Sequence, residues 1–208
     1  MKKITLEPQA KYKGHSVITG DIKAYQFNPS HLDNNLKLME AYSQRHNKVY
    51  SWRMDLRLPD GKQHENPKGF ISSFMNSYTN NLSRKHLDPE YAVKMEQQSS
   101  ENPHFHCQIL ADGNKTKDYR SHIEKAESIL AAQLDIPMEK VKGLIDCCNG
   151  EKNGIMIRRN SPAFQDQFDE CYKQMSYLAK EKSDDVIPSD VRKVFYSRYN
   201  KKKARNAD

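Results

Sequence analysis

EYAVKMEQQSSENPHFHCQIL, residues 90–110, alternates apolar and polar side chains twice around a central turn. Tyr91, Val93 and Met95 interleave with Ala92, Lys94 and Glu96, and Phe105, Cys107 and Ile109 interleave with His104, His106 and Gln108. A period of two marks half-buried strands, and SSENP supplies turn residues between them. The stretch therefore reads as a hairpin with one dry and one polar face. Working outward, VYSWRMDLRLP at 49–59 shows the same period: Tyr50, Trp52, Met54, Leu56 and Leu58 alternate with Ser51, Arg53, Asp55 and Arg57. Three two-faced strands are what antiparallel sheets tolerate.

The intervening segments change to helical spacing. Asn28 and Pro29 form a helix start, followed by Leu32, Leu36, Met39 and Ser43 on one face. Phe70, Ile71, Phe74, Met75, Tyr78 and Leu82 mark an amphipathic helix that should cover the dry face of the sheet. A third helix is expected from about Tyr119 to Leu134, and Ser161 with Pro162 opens a long fourth one that runs to about Lys182. Gly143–Cys148 and Gly154–Arg159 read as a second hairpin around NGEKNG. The expected fold class is α+β, a central antiparallel sheet with helices mainly on one face. Residues 1–28 read as an irregular lead-in, 29–182 as the catalytic domain and 183–208 as a polar, basic C-terminal tail.

With 208 residues the chain has room for one well-buried core but not for a motor domain beside it. Lysine and arginine exceed aspartate and glutamate by 34 to 27, a formal charge of +7, and the pI is near 9.1. That balance suits a polyanionic partner, and a generic basic surface equally. Lys201, Lys202, Lys203 and Arg205 concentrate some of the excess in a segment too polar to pack, which is expected to be mobile. No secretory leader or apolar span is read, so the expected location is the cytoplasm, away from membranes. The four cysteines, Cys107, Cys147, Cys148 and Cys171, lack CxxC spacing and read as reduced packing residues.

His104 and His106, two apart on a strand, leave the same face and can converge on one ion, whereas a helix would separate them by about 200°. Glu96 has the parity to join them, and Asp55 is a reserve ligand. Two imidazoles and a carboxylate suit Mg²⁺, Mn²⁺ or Zn²⁺ with positions open for a phosphate. An ordinary strand-surface carboxylate, paired with a lysine, accounts for Glu96 as well. On the last helix Phe168, Cys171, Tyr172, Met175, Leu178 and Ala179 form the buried stripe. Tyr177, nine positions after Phe168, falls about half a turn away and is not needed by that core. Lys180, three positions later, is near enough on a helix to hold the same phosphate or a phenolate, or is simply a solvated lysine. Arg53, Arg57, Arg158 and Arg159 are candidate phosphate contacts that serve equally well as solubilising charges. A cation and an unburied tyrosine together suit in-line attack on a phosphodiester, giving a covalent phosphotyrosine.

In order along the chain, WRMDLRLP, EYAVKMEQQSSENPHFHCQIL, NGIMIRRNSP and SYLAKE resemble the motif series of HUH endonucleases, most closely the filamentous-phage gene-II replication proteins and their prophage-encoded YagK/YfjJ relatives. The resemblance spans roughly residues 49 to 182. It implies an HUH fold, rolling-circle initiation by strand-specific nicking of single-stranded or origin DNA, and a divalent metal, Mg²⁺ or Mn²⁺, on His104 and His106. It also implies attack by Tyr177 assisted by Lys180, and a helicase borrowed from the host. Glu96 matches the acidic residue before the hairpin turn. The second tyrosine of some relatives has no counterpart, since Tyr172 sits on the core stripe. Two alternatives stand beside this reading. HFHCQIL also fits a histidine-triad nucleotidyl transferase with His106 as nucleophile, and a non-catalytic prophage DNA-binding remnant would retain the same fold.

Overall fold

The alternating segments form the expected strands in the computed structural model, which describes residues 3–19, 24–61, 64–147, 153–181, 186–188 and 190–197. In chain order the elements are β1 (Ile4–Leu6), β2 (Lys11–Tyr12), β3 (His15–Ser16), β4 (Tyr25–Phe27), α1 (Pro29–Arg45), β5 (Lys48–Leu56), α2 (Pro67–Arg84), β6 (Glu90–Glu96) and β7 (His104–Asp112). Then follow α3 (Arg120–Leu134), β8 (Ile145–Asp146), β9 (Ile155–Arg158), α4 (Phe164–Ser176), β10 (Lys180–Glu181) and β11 (Val194–Tyr196). The class is α+β. One antiparallel sheet runs in the order β11-β6-β7-β5-β8, with β9 also on β5, and a small sheet joins β1, β4 and β10.

Register fixes which side chains share a face. Val49 to Leu56 pair with Asp112 to Phe105, and Glu90 to Glu96 pair with Leu110 to His104. Trp52, Met54, Leu56, Val93, Met95, Phe105, Cys107 and Ile109 thereby form one dry face, on which α2 and α3 lie through Phe74, Tyr78, Ala126 and Leu130. Fully buried side chains such as Phe74, Phe105, Met54 and Leu56 each contribute about 1.5–3 kcal/mol.

The opposite face is divided. At one end Val49, Ala92, Leu110, Ile155 and Ile157 are covered by α1 and α4 through Leu32, Leu36, Met39, Phe168, Cys171 and Met175. The expected preference of helices for one face is thus refined: two helices lie on each, and the second pair reaches only half-way along the strands. α1 begins as read from Asn28 and Pro29: the Asn28 side chain accepts the Ser30 N–H at 3.1 Å, meeting one of the helix's orphan donors. Among the described residues no helix is long and apolar enough to cross a membrane.

Three expectations change. The lead-in holds short strands, too brief to show a period; β4 pairs on both sides, with β1 and with β10. The proposed tail begins with structure, for Ile187 is buried and β11 extends the main sheet beside β6; Lys201, Lys202, Lys203 and Arg205 lie outside the described residues. The second hairpin is not one. Both of its strands pair with β5, β9 with residues 48–51 and β8 with 55–56, and the turn at 148–152 lies outside the described residues. Between them the Asn153 amide takes the place of a strand, accepting from Arg53 N at 2.9 Å and donating to Arg53 O at 2.7 Å. A side-chain amide satisfying both backbone groups explains how one strand edge serves two partners.

Candidate active site on the open half of the sheet

Beyond the reach of α1 and α4 the same face turns ionic. β5 contributes Arg53 and Asp55, β6 contributes Lys94 and Glu96, and β7 contributes His106. Asp55 and Lys94 are the direct cross-strand partners of His106, and Glu96 that of His104. His106 is the hub: Nδ1 lies 2.7 Å from Asp55 Oδ2 and Nε2 lies 3.3 Å from Glu96 Oε2. Arg53 grips Asp55 with two hydrogen bonds of 3.0 Å. Lys94 Nζ stands 2.5 Å from Glu96 Oε1 and donates to the Lys180 carbonyl. Lys94, Glu96 and His106 are all buried, which charged groups accept only when paired.

The titration behaviour follows from this chain of alternating charge. Burial opposes ionisation of Asp55, but the hydrogen bond and charge of His106, then of Arg53, outweigh it and hold the carboxyl far below the ordinary range. Burial likewise opposes protonation of His106, yet hydrogen bonds and charge from Asp55 and Glu96 raise its pKa. His104 is lowered, by burial first and then by the neighbouring Arg57.

Tyr177 comes to this cluster by a route the periodicity did not foretell. α4 ends at Ser176, Tyr177–Ala179 form a 3₁₀ turn, and Lys180 is already extended in β10. The half-buried Tyr177 ring meets the His106 ring edge-on, centroids 5.0 Å apart at 80°, and the Arg53 guanidinium lies 4.4 Å from its centre. Leaving the helix at Ser176 also redirects Lys180. Its ammonium sits over the Tyr25 ring at 3.2 Å and is 6.0 Å from the Tyr177 ring, so the helical three-residue spacing does not apply to this pair. Tyr172 is buried, as assigned to packing, with its hydroxyl donating to Leu32 O at 3.2 Å.

Of the residues singled out from sequence, Arg53, Glu96, His106 and Tyr177 come together, joined by the reserve ligand Asp55. His104 follows on the same face towards the end of the sheet, half-buried, with the exposed Arg57 near it. Arg158 and Arg159 do not join them. Arg158 pairs with Lys48 at the far end of β5, seven residues and roughly 23 Å from Asp55 at strand rise. Arg159 donates to the Gln44 carbonyl at 2.8 Å, capping the C-terminal end of α1 as basic side chains do. Lys94 was missed, although it shares the parity of Glu96.

Imidazole nitrogen and carboxylate oxygen are apt donors for a divalent cation. Among the described residues no three His, Cys, Asp or Glu side chains converge as a ready cage. The chemistry of the donors nevertheless fits one. Asp55 holds Nδ1 of His106, the outer hydrogen bond that orients ligating histidines, and thereby aims Nε2 towards Glu96.

Fold and site together define an α+β protein that carries a tyrosine, histidine and carboxylate cluster on the open half of an antiparallel sheet. The chain belongs to the YagK/YfjJ C-terminal domain family, whose sequence profile matches residues 21–193. No curated protein and no solved structure matches it.

Proposed function

We propose that this protein is a metal-dependent DNA-nicking endonuclease of the HUH rolling-circle initiator type, related to phage gene-II proteins, that acts in the cytoplasm and joins itself covalently to single-stranded or origin DNA through Tyr177. The observation that carries the reading is the edge-on contact of Tyr177 with His106 beneath the Arg53 guanidinium. A phenol on the turn after α4, beside imidazole and carboxylate, suits transesterification at phosphorus.

In this reading the Tyr177 hydroxyl oxygen attacks phosphorus in line. A phosphorus–oxygen bond to deoxyribose breaks as the tyrosyl ester forms, and the proton lost by the phenol is balanced by one gained at the sugar oxygen. Arg53 offsets negative charge at the phosphate and the phenol oxygen, with Lys180 a more distant cation and Arg57 a contact for the flanking strand. His104, His106 and Glu96 would hold Mg²⁺ or Mn²⁺, which when bound polarises the non-bridging oxygens. The carboxylates that raise His106 also favour a cation in place of its proton. The histidine-triad alternative gives no role to Tyr177 and Arg53, which flank His106. Such a short initiator would borrow a host helicase.

The test is adduct formation. Incubated with Mn²⁺ or Mg²⁺ and single-stranded DNA carrying its origin, the protein forms a DNA–peptide conjugate that mass spectrometry assigns to Tyr177. Tyr177→Phe abolishes it while DNA affinity, measured by anisotropy, is retained. A conjugate formed by the Phe variant would falsify the assignment of the nucleophile.

A further inference from the structure

We propose that Lys94 is a positioning residue for Tyr177, its buried ammonium clamping the tyrosine-bearing turn onto the sheet. The inference rests on the reading of Tyr177 as nucleophile and gives a role to a residue outside the metal-ligand set and the arginines.

Lys94 is 4% exposed, a placement that costs a lysine its hydration and calls for compensating partners. Its ammonium meets Glu96 Oε1 and the main-chain carbonyl of Lys180. That carbonyl belongs to the first residue of β10, three positions after Tyr177 and just past the point where the helical ladder has ended. Carbonyls at a helix end lack helical donors, and here two flanking groups supply them. Asn28 N–H donates to Ala179 O at 2.9 Å from the β4 side, and Lys94 donates to Lys180 O from the sheet side. Lys94 Nζ also stands 5.8 Å from the centre of the Tyr177 ring. The Lys180 side chain has turned to Tyr25, so the lysine that ties this turn to the His106 cluster comes from β6. Without that tie the turn keeps its attachment to β4 but loses its fixed distance from His106. Misplacement by about 1 Å suffices to slow an oriented reaction about a hundredfold.

The test uses the full chain with Lys94→Met and Lys94→Ala, and Lys94→Gln as the companion should either fail to fold by circular dichroism. Hydrogen exchange without DNA reads the clamp directly. Amides of 177–181 exchange about tenfold faster in the variants, while those of β7 keep their protection. Single-turnover adduct formation falls about a hundredfold with DNA affinity within about twofold, the split expected of a group that orients the reacting atom. Ethylammonium restores part of the rate to Lys94→Ala and none to Lys94→Met. Unchanged exchange at 177–181 overturns the clamp, and variants that form adduct at the wild-type rate overturn its role in the reaction. If the wild-type protein makes no adduct at all, the nicking function fails, and the exchange measurement still decides whether Lys94 holds the turn.

Discussion

Two halves of one sheet face are built from the same three strands and behave as different materials. Under α1 and α4, Val49, Ala92 and Leu110 are dry, and the polar side chains admitted there satisfy each other: Gln108 donates to Ser51 Oγ at 2.8 Å, and Ser51 donates to Ile109 O at 3.0 Å. Two residues further along each strand, Arg53, Asp55, Lys94, Glu96 and His106 crowd five ionisable groups into nearly as little solvent. The strands do not change at the boundary; the cover does, because α4 stops at Ser176 and a single turn with Tyr177 takes its place. The first half gains stability from what it excludes. The second holds charges whose mutual pairing roughly offsets their desolvation, and it is the candidate site.

The largest expected effect breaks this contrast from both ends. Leu110→Glu puts a charge with no partner under α1 and α4 and costs roughly 4 kcal/mol or more in urea unfolding. Asp55→Ala leaves the Arg53 guanidinium without its carboxylate and His106 Nδ1 without its partner, and costs about 3 kcal/mol. Replacing all five ionic residues together (Arg53→Met, Asp55→Leu, Lys94→Met, Glu96→Met, His106→Leu) leaves stability equal to or above that of the wild type, with adduct formation gone. A quintuple variant as unstable as Asp55→Ala would mean that the charges hold the fold.

A smaller effect separates two cations within the ionic half. Arg53→Met slows adduct formation by about tenfold or more, and Lys180→Met by only about two- to threefold, because the guanidinium is the nearer of the two to the Tyr177 ring. Equal losses in single-turnover assays would restore Lys180 as the direct partner.

The smallest concerns the dry face. His122 stacks on Trp52 with centroids 5.0 Å apart and shares a 2.7 Å hydrogen bond with Thr116, and its pKa is lowered, by burial first and then by Lys85. A base lowered in the folded state takes up its proton more readily when unfolded. Its stability contribution is therefore complete above the ordinary imidazole range and is lost as pH falls through that range towards the folded value. The melting temperature of the wild type should decline over this interval more steeply than that of His122→Gln. Parallel curves would assign the acid sensitivity elsewhere.

Strand alternation made the sheet, its dry face and the shared orientation of Glu96 and His106 legible, because burial on one face leaves a period that needs no partner to be read. Helix starts were equally plain where Asn28 and Pro29 announce one. The exit from α4 was not. Neither glycine nor proline follows Ser176, and the chain leaves the helix because β4, the Asn28 amide and the Lys94 ammonium capture what comes next, all distant in sequence. The same cause hid the contact of Lys180 with Tyr25. The place of Arg159 was hidden for a related reason, since a guanidinium that caps a helix and one that meets a phosphate are written with the same letter. Three-residue strands such as Val194–Tyr196 are too short to carry a rhythm and surface only when an edge is there to receive them.

Asn28 begins one helix with its side chain and ties down the end of another with its backbone N–H. The entrance of α1 and the exit of α4 are consequently riveted at a single point. One extra residue between Phe27 and Pro29 turns α1 by about 100° against its anchor. An insertion at that point therefore disturbs the start of α1 and the turn bearing Tyr177 together.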